Sequence, residues 1–299
     1  MNADALNVEF GIPGKVKFNG GKGGFIFVEI TRPEARAVVS TYGAHVLSFE
    51  PRGQYDVLWM SEKSVFEKGK PIRGGIPVCF PWFGPHESDP KKPLHGFARI
   101  IQWNVLATRV HSNGEIELKL GITDTEETRE LWPFHFKAEM TIKVGRYLDV
   151  TLESTNTGHE TFSYTDALHS YFSVSDVTQI GLKGLGGRNY YDGLENGAVR
   201  RQDTTTLVVR NEENRRYFDF DGPCTIDDPG YSRKILVERR GSLVMLVWNP
   251  WLETSRGISD MHSDGYRTMI CVEAVNAHDD KVVLSPGKTF SLSTRLSLS

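Results

Sequence analysis

A histidine occupies an unusual position in residues 165–174, which read TDALHSYFSV. His169 stands just before two aromatic residues, where a strand-forming segment ordinarily carries an apolar side chain. The ring could be a core residue whose nitrogens are hydrogen-bonded, as most buried polar groups are. It could instead transfer protons, because the pKa of free imidazole, about 6.5, leaves both protonation states accessible near neutral pH.

A glutamate interrupts an otherwise apolar strand pattern in residues 267–277, RTMICVEAVNA. Side chains alternate along a strand, so Met269, Cys271 and Glu273 are expected on one face and the intervening residues on the other. Desolvation would raise the pKa of Glu273 toward the range of a general base. The alternative is a structural salt bridge with one of the 35 lysines and arginines of the chain.

Two arginines bracket residues 71–99, PIRGGIPVCFPWFGPHESDPKKPLHGFAR. Six prolines exclude a regular central strand, and the many aromatic residues favour an ordered wall of a pocket over disorder, although a loop that only covers a sheet edge remains possible. Arg73 and Arg99 could hold a phosphate or carboxylate, with His95 nearby. Alternatively, both could form surface ion pairs with the acids of HESD.

The elements that must position these residues are mostly strands. Apolar and polar residues alternate with a period of two in several segments, separated by glycine-containing turns: GEIELKLGITD, FKAEMTIKVGRYLDVTLESTNTG, SLVMLVWNPW and TFSLSTRLSLS. Few helices are predicted; one short turn could precede Pro133, with Thr123 or Asp124 as its N-cap. Because no linker or repeat divides the chain, we predict an all-β fold with a single domain over residues 1–299.

The bulk properties exclude several classes of partner. A net charge of −3 and a pI near 6.3 provide no positive field for nucleic acid or an anionic membrane. No window approaches 18 consecutive apolar residues, and the first residues do not resemble a signal peptide. The three separated cysteines predict neither a disulfide framework nor a zinc site. We therefore expect a cytoplasmic protein that binds a small molecule, and a monomer.

Four motifs in order along the chain resemble the hexose-6-phosphate mutarotase branch of the aldose 1-epimerase family. They are RGGIPVCFPWFGP, LHGFAR, ALHSYF followed by SVSDV, and DGYRTMICVEA. The resemblance runs from about Gly43 to the final strands. It implies a large antiparallel β-sandwich of the galactose mutarotase type, with an active site in a cleft on the concave face of one sheet.

The resemblance also implies roles for individual residues. His169 matches the catalytic histidine and Glu273 the catalytic glutamate of the family, while Arg73 and Arg99 match positions that contact the phosphate. His95 is expected near the sugar ring. Asn214, in ENRRY, takes the place of an aspartate that contacts sugar hydroxyls in many relatives, and Leu94 replaces a glutamine found in some.

The expected reaction interconverts the α and β anomers of glucose 6-phosphate or a similar hexose 6-phosphate. A carboxylate and a protonated imidazole would open and reclose the sugar ring without a cofactor or metal. Free-aldose epimerisation is the alternative if both arginines point away from the cleft, and a non-catalytic sugar-phosphate-binding sandwich is another. Glycoside hydrolysis or a lyase ranks below these, because it would require a second carboxylate beside Glu273, for which Asp166 and Glu253 are conceivable.

Three further patterns carry less weight. Asp260, His262 and Asp264 alternate but lie in a turn-rich segment, so a solvated loop is favoured over a metal site. The glycine-rich GLKGLGGRNYYDG lacks the strand and helix of a dinucleotide-binding motif. A set of tryptophans could include a sugar-stacking platform, although most are expected in the core: Trp82, Trp103, Trp132, Trp248 and Trp251.

Overall fold

A nine-stranded antiparallel sheet forms one layer of the protein, whose computed structural model describes residues 2–299. In β8 (Phe136–Val144), whose sequence is FKAEMTIKV, buried and half-buried residues alternate along the whole strand, as the period of two predicted. The strands in spatial order are β16 (Thr206–Leu207), β13 (Gly181–Lys183), β18 (Cys224–Asp228), β19 (Arg233–Arg240), β23 (Thr289–Leu298), β9 (Leu148–Asn156), β8 (Phe136–Val144), β7 (Ile116–Thr123) and β6 (Asn104–Val110).

An eight-stranded antiparallel sheet forms the second layer and carries the candidate site. Its longest strand, β21, is buried along its whole length. The spatial order is β15 (Ala198–Arg201), β14 (Asn189–Asp192), β17 (Glu213–Tyr217), β20 (Val244–Asn249), β21 (Met269–Asn276), β11 (Asp166–Leu168) and β5 (Val78–Cys79), and β12 (Tyr171–Ser173) also pairs with β21.

The hydrophobic core lies between these two layers. Strand β21 contacts both β19 and β23 of the other sheet. The core-facing residues of β21, Ile270 and Val272, are completely buried in one large apolar cluster that also contains Leu292 and Leu296 of β23. The prediction of an all-β fold and an antiparallel β-sandwich is therefore confirmed.

Two smaller sheets complete the fold. A four-stranded sheet has the order of the sequence, and a two-stranded sheet lies apart from it. Their strands are β1 (Val16–Gly20), β2 (Ile26–Thr31), β3 (Ala35–Ser40) and β4 (His45–Pro51), then β10 (Phe162–Tyr164) and β22 (Val282–Leu284).

The helices are few and short, as expected, but differ from the prediction in detail. The helix before Pro133 is present as α2 (Glu126–Leu131), yet its N-cap is Thr125 rather than Thr123 or Asp124, because Thr125 and Thr128 cap each other reciprocally. Two helices were not predicted, α1 (Ala3–Phe10) and α3 (Trp251–Gly257). None of the helices in residues 2–299 is long and apolar enough to cross a membrane. Single turns of 3₁₀-helix cover Lys22–Gly24, Ala98–Ile100, Gly193–Glu195, Gly265–Thr268 and His278–Asp280.

The proline-rich segment of residues 71–99 is ordered and reaches the edge of the eight-stranded sheet through β5. The segment turns back toward Phe80 at Gly96, which has a φ of +72°. A Cβ atom at this position would lie 2.1 Å from the carbonyl oxygen of Phe80. That oxygen accepts hydrogen bonds from the backbone N–H groups of Phe97 and Ala98. The close approach holds the LHGFAR motif against the sheet.

Candidate active site

His169 and Glu273 lie side by side on the cleft face of the eight-stranded sheet. His169 follows β11 directly, and its backbone N–H donates to the carbonyl of Pro77 over 3.1 Å. Its Nδ1 is 3.2 Å from Oε1 of Glu273. The exposed fractions of the two residues are 8% and 1%. Nδ1 and both carboxylate oxygens have no well-oriented hydrogen-bond partner in residues 2–299, which leaves three buried polar atoms with unused hydrogen-bonding capacity.

Burial sets the protonation of this pair. It raises the pKa of Glu273 well above its usual range. It also lowers the pKa of His169, and the charges of His95, Arg99 and Arg73 lower it further. The protonated imidazole that the resemblance implies is therefore disfavoured by desolvation and by the neighbouring arginines. Burial therefore disfavours the charged form of both groups, the imidazolium of His169 and the carboxylate of Glu273.

Aromatic rings enclose His169. Its ring stacks on Tyr171 at a centroid distance of 4.7 Å and an angle of 6°, and Trp248 stands edge-on to both at 6.2 Å. Trp59 stacks on Tyr171 at 6.0 Å. Stacking of this kind fixes the plane of the imidazole and therefore the direction in which its nitrogens point.

Arg73 reaches the site through Tyr171. Its Nη1 donates to the Tyr171 hydroxyl over 3.1 Å, and its Nε donates to Asp260 over 3.1 Å. Interaction with that hydroxyl and with the Asp260 carboxylate raises the pKa of Arg73. The ion pair proposed with the acids of HESD is not formed, since the carboxylate partner of Arg73 comes from a segment far along the chain.

Arg99 is nearly buried and has no carboxylate partner within 4.0 Å in the described chain; 7% of the residue is exposed. Its Nη2 donates to the carbonyl of Leu94 over 2.7 Å, whereas its Nε has no acceptor among residues 2–299. Burial lowers the pKa of Arg99. An uncompensated guanidinium of this kind is suited to an anionic ligand.

His95 lies in the same segment as Arg99, residues 71–99, and its ring is held in one tautomer. Its Nδ1 accepts from the backbone N–H of Gly84 over 3.0 Å, so Nε2 carries the proton of the neutral ring. Burial and the charges of Arg99 and Arg73 lower the pKa of His95 to about 3. The ring centroid is 5.6 Å from that of His169. His95 is therefore a neutral hydrogen-bond donor near the catalytic candidates.

Asn214 lies farther along the same face of the sheet. It is paired in register with Trp248, which in turn is paired with Cys271. Its amide packs close to Gly193, and no hydrogen bond from its side chain is formed within the described part of the chain. Asn214 is thus on the cleft face and available to a ligand, but it does not contact the other predicted site residues.

One cluster in the described residues could hold a metal ion. His169, Cys271 and Glu273 each bring a ligand atom within 4.8 Å of the others. Soft and borderline cations accept such nitrogen, sulfur and oxygen donors. Asp260, His262 and Asp264, which alternate in the sequence, do not form a comparable cluster. Asp260 pairs with Arg73, and His262 faces Glu62.

The carboxylates considered for hydrolysis do not join Glu273. Asp166 lies on the opposite face of its strand from His169 and accepts a hydrogen bond from Asn276 over 2.9 Å. Burial raises the pKa of Asp166 to about 7. Glu253 is exposed and pairs with Arg256 over 2.7 Å.

Sequence reasoning missed several residues of this site. The sequence assigns no role to Tyr171, Trp59 lies outside every motif, and the pattern around Asp260 indicates only a solvated loop. The only available signal was the pair of aromatic residues after His169. Of the five tryptophans considered, Trp248 alone borders His169, whereas Trp82, Trp103 and Trp132 are buried in the core.

The geometry agrees with comparisons to known proteins. The family model for aldose 1-epimerase matches residues 27–297. The chain belongs to the aldose 1-epimerase family. It is accordingly an isomerase with epimerase, or mutarotase, activity, as predicted from the motifs.

Individual relatives support the same assignment. A protein of Escherichia coli K12 that carries the provisional name glucose-6-phosphate 1-epimerase is 34% identical over 256 residues, which cover 86% of this chain and 85% of that protein. The crystal structure of a provisionally named mutarotase from Salmonella typhimurium superimposes with a TM-score of 0.89 at 30% identity, covering 96% of this chain and 95% of the other. A galactose mutarotase-related enzyme of Lactobacillus acidophilus shares the fold at 17% identity, with a TM-score of 0.74 and coverage of 91% and 97%.

Proposed function

We propose that this epimerase interconverts the anomers of a hexose 6-phosphate, with glucose 6-phosphate as the leading substrate. The observation that carries the proposal is the pair of His169 and Glu273, 3.2 Å apart, buried and without other hydrogen-bond partners in residues 2–299. A pure binding module has no need for an acid and a base in contact. The names of the relatives at 34% identity support a phosphorylated substrate.

In the proposed mechanism, the two residues move two protons in opposite directions. Glu273, as the carboxylate, accepts the proton of the anomeric hydroxyl, while protonated His169 donates to the ring oxygen and the bond between C1 and that oxygen breaks. Rotation about the C1–C2 bond presents the other face of the aldehyde. Neutral His169 then takes the proton back from the C5 hydroxyl as this oxygen attacks C1, and the Glu273 carboxyl protonates the new anomeric oxygen.

Substrate binding would prepare this protonation state. The positive charges of Arg99 and Arg73 help to lower the pKa of His169. A phosphate dianion held by these arginines offsets their charge, so the pKa of His169 rises when the substrate is bound. The proton can then move from Glu273 to His169. The phosphate thus contributes to catalysis as well as to binding.

Arg99 supports the choice of phosphorylated over free sugar. The guanidinium of Arg99 is nearly buried, its Nε has no acceptor, and it has no carboxylate neighbour in the described chain. Burying such a charge costs free energy unless an anion pairs with it. Arg73 is already paired with Asp260, so its contribution to phosphate binding is smaller. His95 is expected to donate from Nε2 to a sugar oxygen, and Asn214 to contact hydroxyls at the far side of the ring.

The compartment and the assembly state are also proposals. The three cysteines, Cys79, Cys224 and Cys271, are buried and unpaired in the structure, which agrees with a reducing environment such as the cytoplasm. We propose that the protein acts as a monomer, because one chain by itself brings the catalytic pair and both arginines together.

Two-dimensional exchange NMR of glucose 6-phosphate anomers tests the proposal. The wild type is expected to accelerate exchange, and His169→Asn and Glu273→Gln should each reduce the rate ~100- to 10,000-fold. Arg99→Gln should lower kcat/KM for glucose 6-phosphate ~10- to 150-fold, the loss of one charged hydrogen bond, but leave free glucose within about twofold.

Arg295→Gln, on the nine-stranded sheet, serves as the matched control and should keep wild-type rates with every sugar. Equal acceleration of glucose, galactose and glucose 6-phosphate would overturn the phosphate assignment while keeping the acid and base. Full activity of Glu273→Gln would overturn the mechanism.

A further inference from the structure

A second arginine without a carboxylate partner lies on the cleft face of the eight-stranded sheet. Arg216 in β17 is paired in register with Leu246 of β20, which is paired with Glu273 of β21. Residues directly opposite each other on antiparallel strands point to the same face. With neighbouring strands about 4.8 Å apart, the backbones of Arg216 and Glu273 are about 10 Å apart. Arg216 therefore lies on the same face of the sheet as the catalytic pair.

Arg216 opens into a cavity of about 480 Å³ between two turns. On one side is the hairpin of β14 and β15, which carries Tyr191, and on the other the turn that carries His278 and Asp279. This volume is in the range of small-molecule sites. The cavity adjoins the position of Asn214, whose amide packs against Gly193 in the same hairpin.

The guanidinium of Arg216 is incompletely satisfied. Its Nε is buried without a hydrogen-bond partner in residues 2–299, and its Nη1 contacts Nε2 of His278. No carboxylate of the described chain lies within 4.0 Å of it, although Asp279 also lines the cavity. Burial lowers the pKa of Arg216, and the hydroxyl of Tyr191 opposes this effect. A positive charge held in this way is missing an anionic partner.

The position of Arg216 distinguishes it from the arginines already considered. Arg99 lies on the side of β5 and β11, where its charge acts on Cys79, His95 and His169. Arg216 lies on the other side of β21, two strands away. A hexose over Glu273 and His169 would have its C6 phosphate near the ring oxygen and therefore near His169. Its C2 to C4 side would then point toward Asn214 and Arg216.

We propose that Arg216, with His278, forms a second phosphate-binding subsite on the side of the cleft opposite Arg99. The proposal rests on the proposed function, since that places a sugar phosphate over Glu273. The planar fork of arginine matches two phosphate oxygens, and His278, whose Nε2 accepts from Arg216, carries the proton of its neutral ring on Nδ1 and can donate from there. The phosphate has two sources: a second phosphate bound beside the sugar, or the phosphate of the substrate in a reversed orientation.

Titration of inorganic phosphate by calorimetry at constant ionic strength tests the subsite without turnover. The wild type is expected to bind two phosphates and Arg216→Gln one, with the remaining site lost on Arg99→Gln. Arg216→Lys should retain the second site at reduced affinity, because lysine keeps the charge but not the fork. Arg200→Gln, an exposed arginine of β15 that pairs with Glu195, is the matched control and should bind two.

Addition of hexose 6-phosphate separates the two sources. If the sugar displaces only the phosphate at Arg99, the subsite takes a second phosphate; if it displaces only the one at Arg216, the substrate binds in the reversed orientation. Either result, displacement at Arg99 only or at Arg216 only, requires that phosphate binds at Arg216. Arg216→Gln binding phosphate with wild-type stoichiometry and affinity would overturn it. Anomer exchange measured on the same samples reports the proposed function separately, so either proposal can fail alone.

Discussion

At the scale of single residues, the site depends on the carboxyl group of Glu273, which is buried where its charged form is unfavourable. Glu273 is buried, has no lysine or arginine within 4.0 Å in residues 2–299, and has a pKa raised by burial alone. A group whose pKa is higher in the folded state than in the unfolded state binds protons on folding. Its contribution to stability is complete below the unfolded pKa and is lost as the pH rises through the folded pKa. Glu273 therefore makes the wild type less stable as the pH rises above the ordinary pKa of a glutamate.

Glu273→Gln should stabilise the protein above pH 5 while it abolishes most activity. Each unit by which burial raises the pKa is equivalent to about 1.4 kcal/mol, and ~1 kcal/mol shifts Tm by ~2–4 °C in a chain of this size class. We expect Tm of Glu273→Gln to exceed that of the wild type by at least ~2 °C at pH 8. The difference should vanish near pH 4. Scanning calorimetry from pH 4 to 8 measures it, and a constant difference across that range would contradict the assignment.

At the scale of elements, the sequence predicts the strands, but it does not predict which residues of different strands come into contact. The alternation in FKAEMTIKV and in residues 269–276 reflects local burial, which a sequence displays directly. The contact between His169 and Glu273 depends on the register of β11, β12 and β21, which is set by pairing across about a hundred residues. The family motifs supplied that information. Asp260 and Trp59 belong to no such motif, and Arg216 lies in ENRRY beside Asn214 without a role implied by the resemblance. Only the folded chain brings these three residues to one face of the sheet.

Gly96→Ala tests how strongly the LHGFAR motif depends on its backbone. Both the φ of +72° and the 2.1 Å approach to Phe80 exclude a side chain, so the segment carrying His95 and Arg99 must shift. We expect a loss of more than ~2 kcal/mol in the free energy of unfolding and a large rise in KM. The matched control is Gly53→Ala, with a φ of +76° but open space around it, which should cost only ~1–2 kcal/mol and leave KM unchanged. Denaturant titration and anomer-exchange kinetics provide both quantities, and equal effects of the two substitutions would show that the approach to Phe80 is unimportant.

At the scale of the whole molecule, the two large sheets share one core. The same apolar cluster includes Ile270 and Val272 of the cleft-bearing sheet and Leu292 and Leu296 of the other. A site built on one layer is therefore supported by the other, although no residue of the nine-stranded sheet is proposed to contact the substrate.

This shared core predicts that the protein unfolds as one unit, in agreement with the single domain expected over residues 1–299. Heat denaturation followed by far-ultraviolet circular dichroism and by tryptophan fluorescence should give coincident transitions. Trp103 and Trp132 report on the core, whereas Trp248 reports on the cleft. Two separated transitions would indicate that the layers are independent domains.

The position of β23 in the nine-stranded sheet affects how the protein refolds to its native structure. In the nine-stranded sheet it pairs with β19 on one side and β9 on the other, so it joins the run of hairpins β6 to β9 to the strands β13, β16, β18 and β19. Until residues 289–298 dock, each half of the sheet exposes an unpaired edge of eight or more residues. Such edges recruit strands from other molecules. Refolding is consequently a competition between insertion of this strand and intermolecular pairing, and dilution favours the first.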